Sequence, residues 1–249
     1  MKYKFGFKNQ QHNEQLSSIP FKFEATHNEE TKESEITIYG LIGESFWYDS
    51  ISANDVVREL NNAGNNDVVI RLNSPGGDAF DGITIHNRIK EHKGKVTVRI
   101  DGYACSAASL IPPAADEAYM GIGSMIMIHE ASTGLWGTKN EFRKKADLLE
   151  KLEDGIVDIY MTKSKVSREK IREMVDAETW FSASEAVEIG FATATSSVED
   201  KGESEELTQM KAQMQAMQSK INELTNQTKE EPTPVEPVKP TAKRKGFFF

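Results

Sequence analysis

Three short stretches of this chain hold the residue types used in acyl transfer. The first is Asn73-Ser74-Pro75-Gly76-Gly77, directly after the apolar run Val68 to Leu72. Two adjacent glycines let a backbone turn sharply and approach a ligand, with N–H groups pointing into a cleft. The second is Asp101-Gly102-Tyr103-Ala104-Cys105-Ser106-Ala107-Ala108-Ser109, after Val96 to Ile100. A helix starting near Ser106 would place that hydroxyl beside free N–H groups, which favour developing negative charge. The third is Met125-Ile126-Met127-Ile128-His129, an apolar run that ends on a histidine. A serine nucleophile needs a base. His12 and His27 lie in a polar N-terminal stretch, and His86 and His92 fall on a polar-faced helix where solvation is expected, which leaves His129 as the candidate.

Each of these signals has a plain structural reading. Gly-Gly after a strand is commonly a turn, a serine there can be a cap, and a histidine beside a strand can be structural. The G-x-S-x-G elbow is absent. No Gly-Lys-Ser/Thr follows either glycine turn, so no phosphate loop is present. No metal site and no cofactor are expected. Cys105 is a second possible nucleophile, although a small buried residue filling space is its simpler role.

The elements that must position these residues alternate in type. Ile36 to Ile42 reads as a strand with a Gly40 interruption. Ser52 to Leu60 reads as a helix closed by Gly64, Val68 to Leu72 as a strand, Phe80 to Glu91 as a helix, and Val96 to Ile100 as a strand. That order predicts an α/β fold with a parallel sheet and right-handed crossovers. Residues 139–163 form a long amphipathic helix with Phe142, Ala146, Leu149, Leu152, Ile156 and Ile159 at helical spacing. Ser167 caps a further helix to Val175. Ser182 and Glu185 form a capping box for another, which Gly190 closes.

Composition bounds the rest. The chain has 249 residues, 38% of them hydrophobic, and a net charge of −9. An acidic balance argues against non-specific nucleic-acid binding, which requires basic residues to neutralise phosphates. No apolar run is long enough for a membrane span, and the first residues lack the apolar core of a signal peptide. One cysteine precludes an intramolecular disulfide and fits a reducing compartment. Four segments are expected: a loosely attached arm over 1–33, a globular domain over 34–197, an acidic stretch and short coiled-coil helix over 198–228, and a proline-rich linker with a basic, phenylalanine-ended tail over 229–249. In the third, Leu207, Met210, Met214, Met217, Ile221 and Leu224 follow a heptad seam. The last ends in Gly246-Phe247-Phe248-Phe249, which reads as a docking peptide. The exposed composition of arm and linker makes both accessible to proteolytic nicking.

Four motifs in order resemble the proteolytic subunit family of the Clp proteases: Leu72 to Gly77, Gly102 to Ser106, Met127 to Glu130, and Phe181 to Gly190. The resemblance runs from about Ile36 to Ala194 and implies a crotonase-like fold of stacked βαβ units with helix 139–163 as the handle that pairs stacked rings. It implies serine endopeptidase activity, with Ser106 as nucleophile and His129 as general base. Gly77 and Ala107 match the oxyanion-hole donors. The family acid is an aspartate at the position of Glu178, three residues before Phe181; Asp176 is the alternative. Substrate would add as a strand beside Gly76 and the segment containing Gly134, Leu135 and Trp136. The tail and the pattern Asp176 to Phe181 further resemble the head maturation proteases of tailed phages. That closer resemblance implies capsid or scaffold substrates and a place in the bacterial cytoplasm, inside a prohead. The alternatives are a housekeeping-type subunit fed by a separate ATPase, an inactive scaffold protein, and a non-peptidase crotonase-like enzyme acting on thioesters.

Overall fold

A computed structural model describes residues 14–196. The chain enters with β1 (Lys22–Asn28) and β2 (Glu33–Tyr39), paired antiparallel as a hairpin. The Asn28 side chain closes its turn by accepting from the amides of Glu30 and Thr31. Here the structure departs from the expected loose arm. In β1 the residues Phe23, Ala25 and His27 alternate with more exposed neighbours, which is the period of a half-buried strand. Leu16, also in the expected arm, is buried against Cys105 and Met127. The expected heptad helix and tail lie outside the described residues.

Gly40, at φ 115°, ends β2 and splits the expected single strand into β2 and β3 (Leu41–Ile42), which pairs with β4 (Ser50–Ile51). Then follow α1 (Ala53–Ala63), β5 (Asp67–Ser74), α2 (Ala79–Lys90) and β6 (Val96–Cys105). Ser52 caps α1 through a capping box with Asp55, and Asp78 caps α2 by accepting from Phe80 and Asp81. Strands β2, β5 and β6 are parallel neighbours, joined by helical crossovers. Their alternating inward residues, including Ile36, Ile38, Val68, Ile70, Leu72, Val98 and Ile100, are buried in one core.

Strand β6 is longer than its sequence pattern indicated because it is bulged. Leu72 pairs with Ile100 but Ser74 pairs with Ala104, so β6 carries two extra residues. The Asn73 side chain fills the gap, its Oδ1 accepting from the Tyr103 amide. Gly102 sits where a Cβ would lie 2.6 Å from that oxygen. A bulge bends and re-aims a strand. Before it, Thr97–Ile100 pairs with β7 (Glu117–Met120); beyond it, Tyr103–Cys105 pairs with β8 (Met125–Ile128). Strand β7 went unread in the sequence because it is short and follows a charge-free stretch of small residues.

The remaining elements are α3 (Lys139–Met161), α4 (Arg168–Ala177), β9 (Thr179–Ser182), α5 (Ala183–Ile189) and β10 (Ala194–Thr195). Strand β9 pairs antiparallel with β8, and β10 parallel with β7. The caps at Ser167, Ser182 with Glu185, and Gly190 are as the sequence indicated. Only the last turns of α3 are buried, at Ile156, Val157 and Tyr160, while Phe142 and Leu148 are about half exposed at 52% and 50%. Among the described residues, no helix is long and apolar enough to cross a membrane. His86 and His92 differ from expectation. His86 is buried with Nδ1 2.8 Å from the Leu110 carbonyl, and His92 Nε2 lies 2.8 Å from that of Asn66. Each ring meets a backbone carbonyl, His86 inside the core and His92 at the partly buried turn after α1.

The two halves of this core–handle contrast predict different responses. Ile70→Ala, at a fully buried position of β5, should cost about 2–5 kcal/mol by loss of burial and cavity formation. Phe142→Ala should change protomer stability by no more than about 0.5 kcal/mol, as for an exposed position. Urea unfolding followed by circular dichroism measures both.

Candidate active site

The bulge in β6 delivers Cys105 and Ser106 to the carboxyl end of the parallel strands. There β6 passes into a short 3-10 helix, Ser106–Leu110. Ser106 has φ 52°, a left-handed conformation that costs a non-glycine residue on the order of 1–3 kcal/mol and persists only under external constraint. Part of that constraint is the neighbouring turn. A Cβ on Gly76 would lie 2.4 Å from the Cys105 carbonyl, 2.7 Å from Ser106 Cβ and 2.9 Å from the Ala107 amide nitrogen. The two turns therefore touch backbone to backbone, and only glycine fits.

Gly77, at φ 146°, is locked on its other side. The Ile42 amide donates to the Gly76 carbonyl at 2.9 Å, and the Asp78 amide donates to the Ile42 carbonyl at 2.9 Å. A Cβ on Gly77 would come within 1.9 Å of that Ile42 oxygen. Among the described residues, no acceptor is bonded to the Gly77 amide. The Ala107 amide lies in the first turn of its helix, where no intrahelical acceptor exists. Two backbone donors thus flank Ser106.

His129 leaves the end of β8, and its Nε2 lies 2.8 Å from Ser106 Oγ. With Nε2 engaged there, an orienting acid must act at Nδ1. The β8–β9 ladder pairs Ile128 with Thr179; continued by one pair, it sets Glu178 across from His129. Glu178 caps α4 in a left-handed conformation, φ 57°, and accepts from the Trp180 indole at 3.3 Å. Tyr103 packs edge-on against Trp180. Asp176 lies inside α4, is exposed, and its charge acts on Glu153. The strand register thus sets Glu178 at the histidine's strand end, and Asp176 lies two residues earlier in the last turn of α4.

Glu153 of α3 organises the wall after His129. Its carboxylate accepts from the Ala131 amide at 2.9 Å and pairs with Arg172 at 3.0 Å. Burial pushes its carboxyl above the usual range, with Glu130 and Asp176 nearby adding to the rise. The cleft runs from Gly77, Ser106 and His129 along Ala131 to Thr133, over an apolar floor that includes Leu110, Leu152 and Ile156. The expected substrate contacts Gly134, Leu135 and Trp136 are not among the residues lining it, and Trp136 is fully exposed. The extended segment leaves the cleft after Thr133, so the protomer alone does not bring those three residues to the serine.

Cys105 is fully buried beneath the serine, beside Leu16 and Met127. Burial, and secondarily the Glu178 carboxylate, push its thiol far above the usual range, which keeps it protonated. Among the described residues, no group of three or more His, Cys, Asp or Glu side chains is placed to hold a metal ion.

The Clp protease family profile matches residues 24–199. The chain belongs to the Clp protease family. Clp protease proteolytic subunit 1 of Chlamydia abortus, named as ATP-dependent, is 33% identical over 136 residues, spanning 53% of this chain and 70% of that relative. The ATP-dependent subunit of Deinococcus radiodurans is 28% identical over 187 residues, or 71% of this chain and 91% of the relative. An asparagine-to-aspartate variant of ClpP1 from Listeria monocytogenes superposes with a TM-score of 0.58 at 26% identity, covering 67% of this chain and 92% of that one. The fold is the crotonase-like α/β fold of that family, and the protein is a serine-type peptidase, a hydrolase.

Several contributors at this Clp-type site were not read from sequence. Asn73 gave no sign of filling a bulge, because a bulge is a property of two strands. Ser109 and Tyr160, described below, meet only through tertiary packing.

Two outcomes are expected. Gly76→Ala should leave the fold intact but displace Ser106, lowering peptide hydrolysis at least about 100-fold, since misplacement near 1 Å costs that much. Iodoacetamide should leave Cys105 unmodified in the native protein at neutral pH and alkylate it in denaturant, as read by intact mass.

Proposed function

We propose that this protein cleaves polypeptides through an acyl-enzyme on Ser106, with His129 as general base, Glu178 as the orienting acid, and the Gly77 and Ala107 amides as the oxyanion hole. The observation that carries this reading is the 2.8 Å contact between Ser106 Oγ and His129 Nε2 beside two backbone donors. His129 Nε2 takes the hydroxyl proton as Oγ bonds to the peptide carbonyl carbon. The carbonyl π electrons move to oxygen, which the two amides receive. Collapse expels the amine, which takes the proton from His129. Water then attacks the ester by the same route and regenerates Ser106. Glutamate in place of the family aspartate is one methylene longer, and the left-handed backbone at Glu178 sets a different starting point for that longer arm.

The substrate backbone would pair with the strand-like edge at Ala131 to Thr133, so recognition would read main chain more than side chains. The names of the relatives favour a subunit that works with an ATPase partner and assembles with other copies. The half-exposed apolar positions of α3 suit the role of a handle between rings. A narrower reading, a phage head maturation protease acting on capsid or scaffold protein inside a prohead in the bacterial cytoplasm, draws on the extension beyond the family match, which ends at residue 199. The partner of the Phe247-Phe248-Phe249 end belongs to that same reading.

Hydrolysis of a fluorogenic peptide tests the assignment. Ser106→Ala and His129→Ala should each lose at least about 1000-fold in kcat, the scale seen when a member of such a unit is removed. Glu178→Gln should lose about 10–10,000-fold and Asp176→Asn less than about threefold, given the acid's role in orienting histidine. The reverse ranking of the two carboxylates would reassign the acid. Degradation of a folded substrate only when a Clp-type ATPase and ATP are added favours the ATPase-fed reading; ATPase-independent trimming of a capsid protein favours the narrower one.

A further inference from the structure

The Ser106 carbonyl and the Ala107 N–H belong to one peptide unit. That unit is trans, so the two groups point in opposite directions. Whatever holds the Ser106 carbonyl therefore aims the Ala107 amide. The holder is Ser109, whose Oγ donates to the Ser106 carbonyl at 2.5 Å. A serine bonded to the carbonyl three residues back is a common local contact in helices. The second link is not local. Ser109 Oγ lies 2.6 Å from the hydroxyl of Tyr160, on α3 and 51 residues away in sequence.

The proton count settles direction. A serine hydroxyl has one proton, and a carbonyl can only accept, so that proton lies toward Ser106. Tyr160 must then be the donor to Ser109. Both side chains are buried, with Ser109 at 1% and Tyr160 at 2% exposure, so water does not compete for these bonds. Tyr160 is itself fixed by stacking on Phe191 at 5.1 Å, and Phe191 packs edge-on against Phe181 of β9. Hydrogen bonds in series polarise one another. Electron density drawn toward the carbonyl oxygen makes the N–H on the far side of the same peptide a stronger donor.

We propose that Tyr160 and Ser109 form a hydroxyl relay that orients and polarises the Ala107 amide, making both of them positioning residues for the oxyanion hole. This rests on the reading of Ala107 as an oxyanion donor. The relay ties the handle helix to the catalytic turn, so a shift of α3 reaches the donor as well as the cleft floor that α3 supplies.

The test uses the full-length protein, a fluorogenic peptide, and a peptide aldehyde that adds to Ser106 and places an oxyanion between the two amides. Ser109→Ala should lower kcat about 10–100-fold, somewhat less than deletion of a whole oxyanion donor. KM should stay within twofold, and aldehyde affinity should fall in proportion to kcat. Tyr160→Phe, which keeps the ring stack, should lower kcat about threefold to tenfold. The double variant should match Ser109→Ala alone, because Tyr160 acts through Ser109. Wild-type kcat and aldehyde affinity in folded Ser109→Ala would overturn the relay, as would losses that multiply in the double variant. Should Ser109→Ala fail to fold, wild-type kcat in Tyr160→Phe overturns it and a loss in kcat at constant KM supports it. Ser106→Ala in the same assay separates the two claims: if it still cleaves, the site assignment fails and the relay with it; if it is inactive, the Ser109 and Tyr160 outcomes judge the relay alone.

Discussion

The contact between Ser106 and His129 joins the ends of two strands that are neighbours only because β6 changes partner midway. The first half of β6 lies against β7, and the second half against β8, from which His129 emerges. The bulge filled by Asn73 separates the halves. Without it, the backbone after Ile100 would continue along β7, and Ser106 would not meet the histidine. This constraint also explains the glycine at 102, which leaves room for the Asn73 side chain.

Holding Ser106 in a left-handed conformation is the second demand on the fold. It is met from three sides: Gly76 against Ser106 Cβ, the paired Cys105 beneath, and the Ser109 hydroxyl on the Ser106 carbonyl. The segment around Leu16 covers Cys105 from outside. Strain concentrated at one residue and supported by many is the usual arrangement where a group must be presented for chemistry. The same support keeps the thiol of Cys105 protonated and out of the reaction, although it adjoins the serine.

Much of this was legible from residues alone. The strand–helix alternation, the caps at Ser167 and Ser182, and the glycine turns carry local signals that need no tertiary context. Four motifs in order, Leu72 to Gly77, Gly102 to Ser106, Met127 to Glu130 and Phe181 to Gly190, carry the resemblance to the Clp family. Other features needed the fold. The alternation of Phe23, Ala25 and His27 is weak because polar residues surround it, and so β1 does not stand out from the polar stretch around it. The burial of His86 and the outward turn of Gly134, Leu135 and Trp136 depend on which elements pack where. The apolar stripe of α3 is plain in the sequence, yet only its last turns reach the core of the protomer.

The central claim is that His129 activates Ser106. Its most direct test is covalent labelling with a fluorophosphonate, with the adduct mapped by mass on the assembled, full-length protein. A single adduct on Ser106, lost in His129→Ala while the variant remains folded and assembled, is the predicted result. An unlabelled Ser106 in the assembled wild-type protein, or labelling that persists at the same rate in His129→Ala, would contradict it.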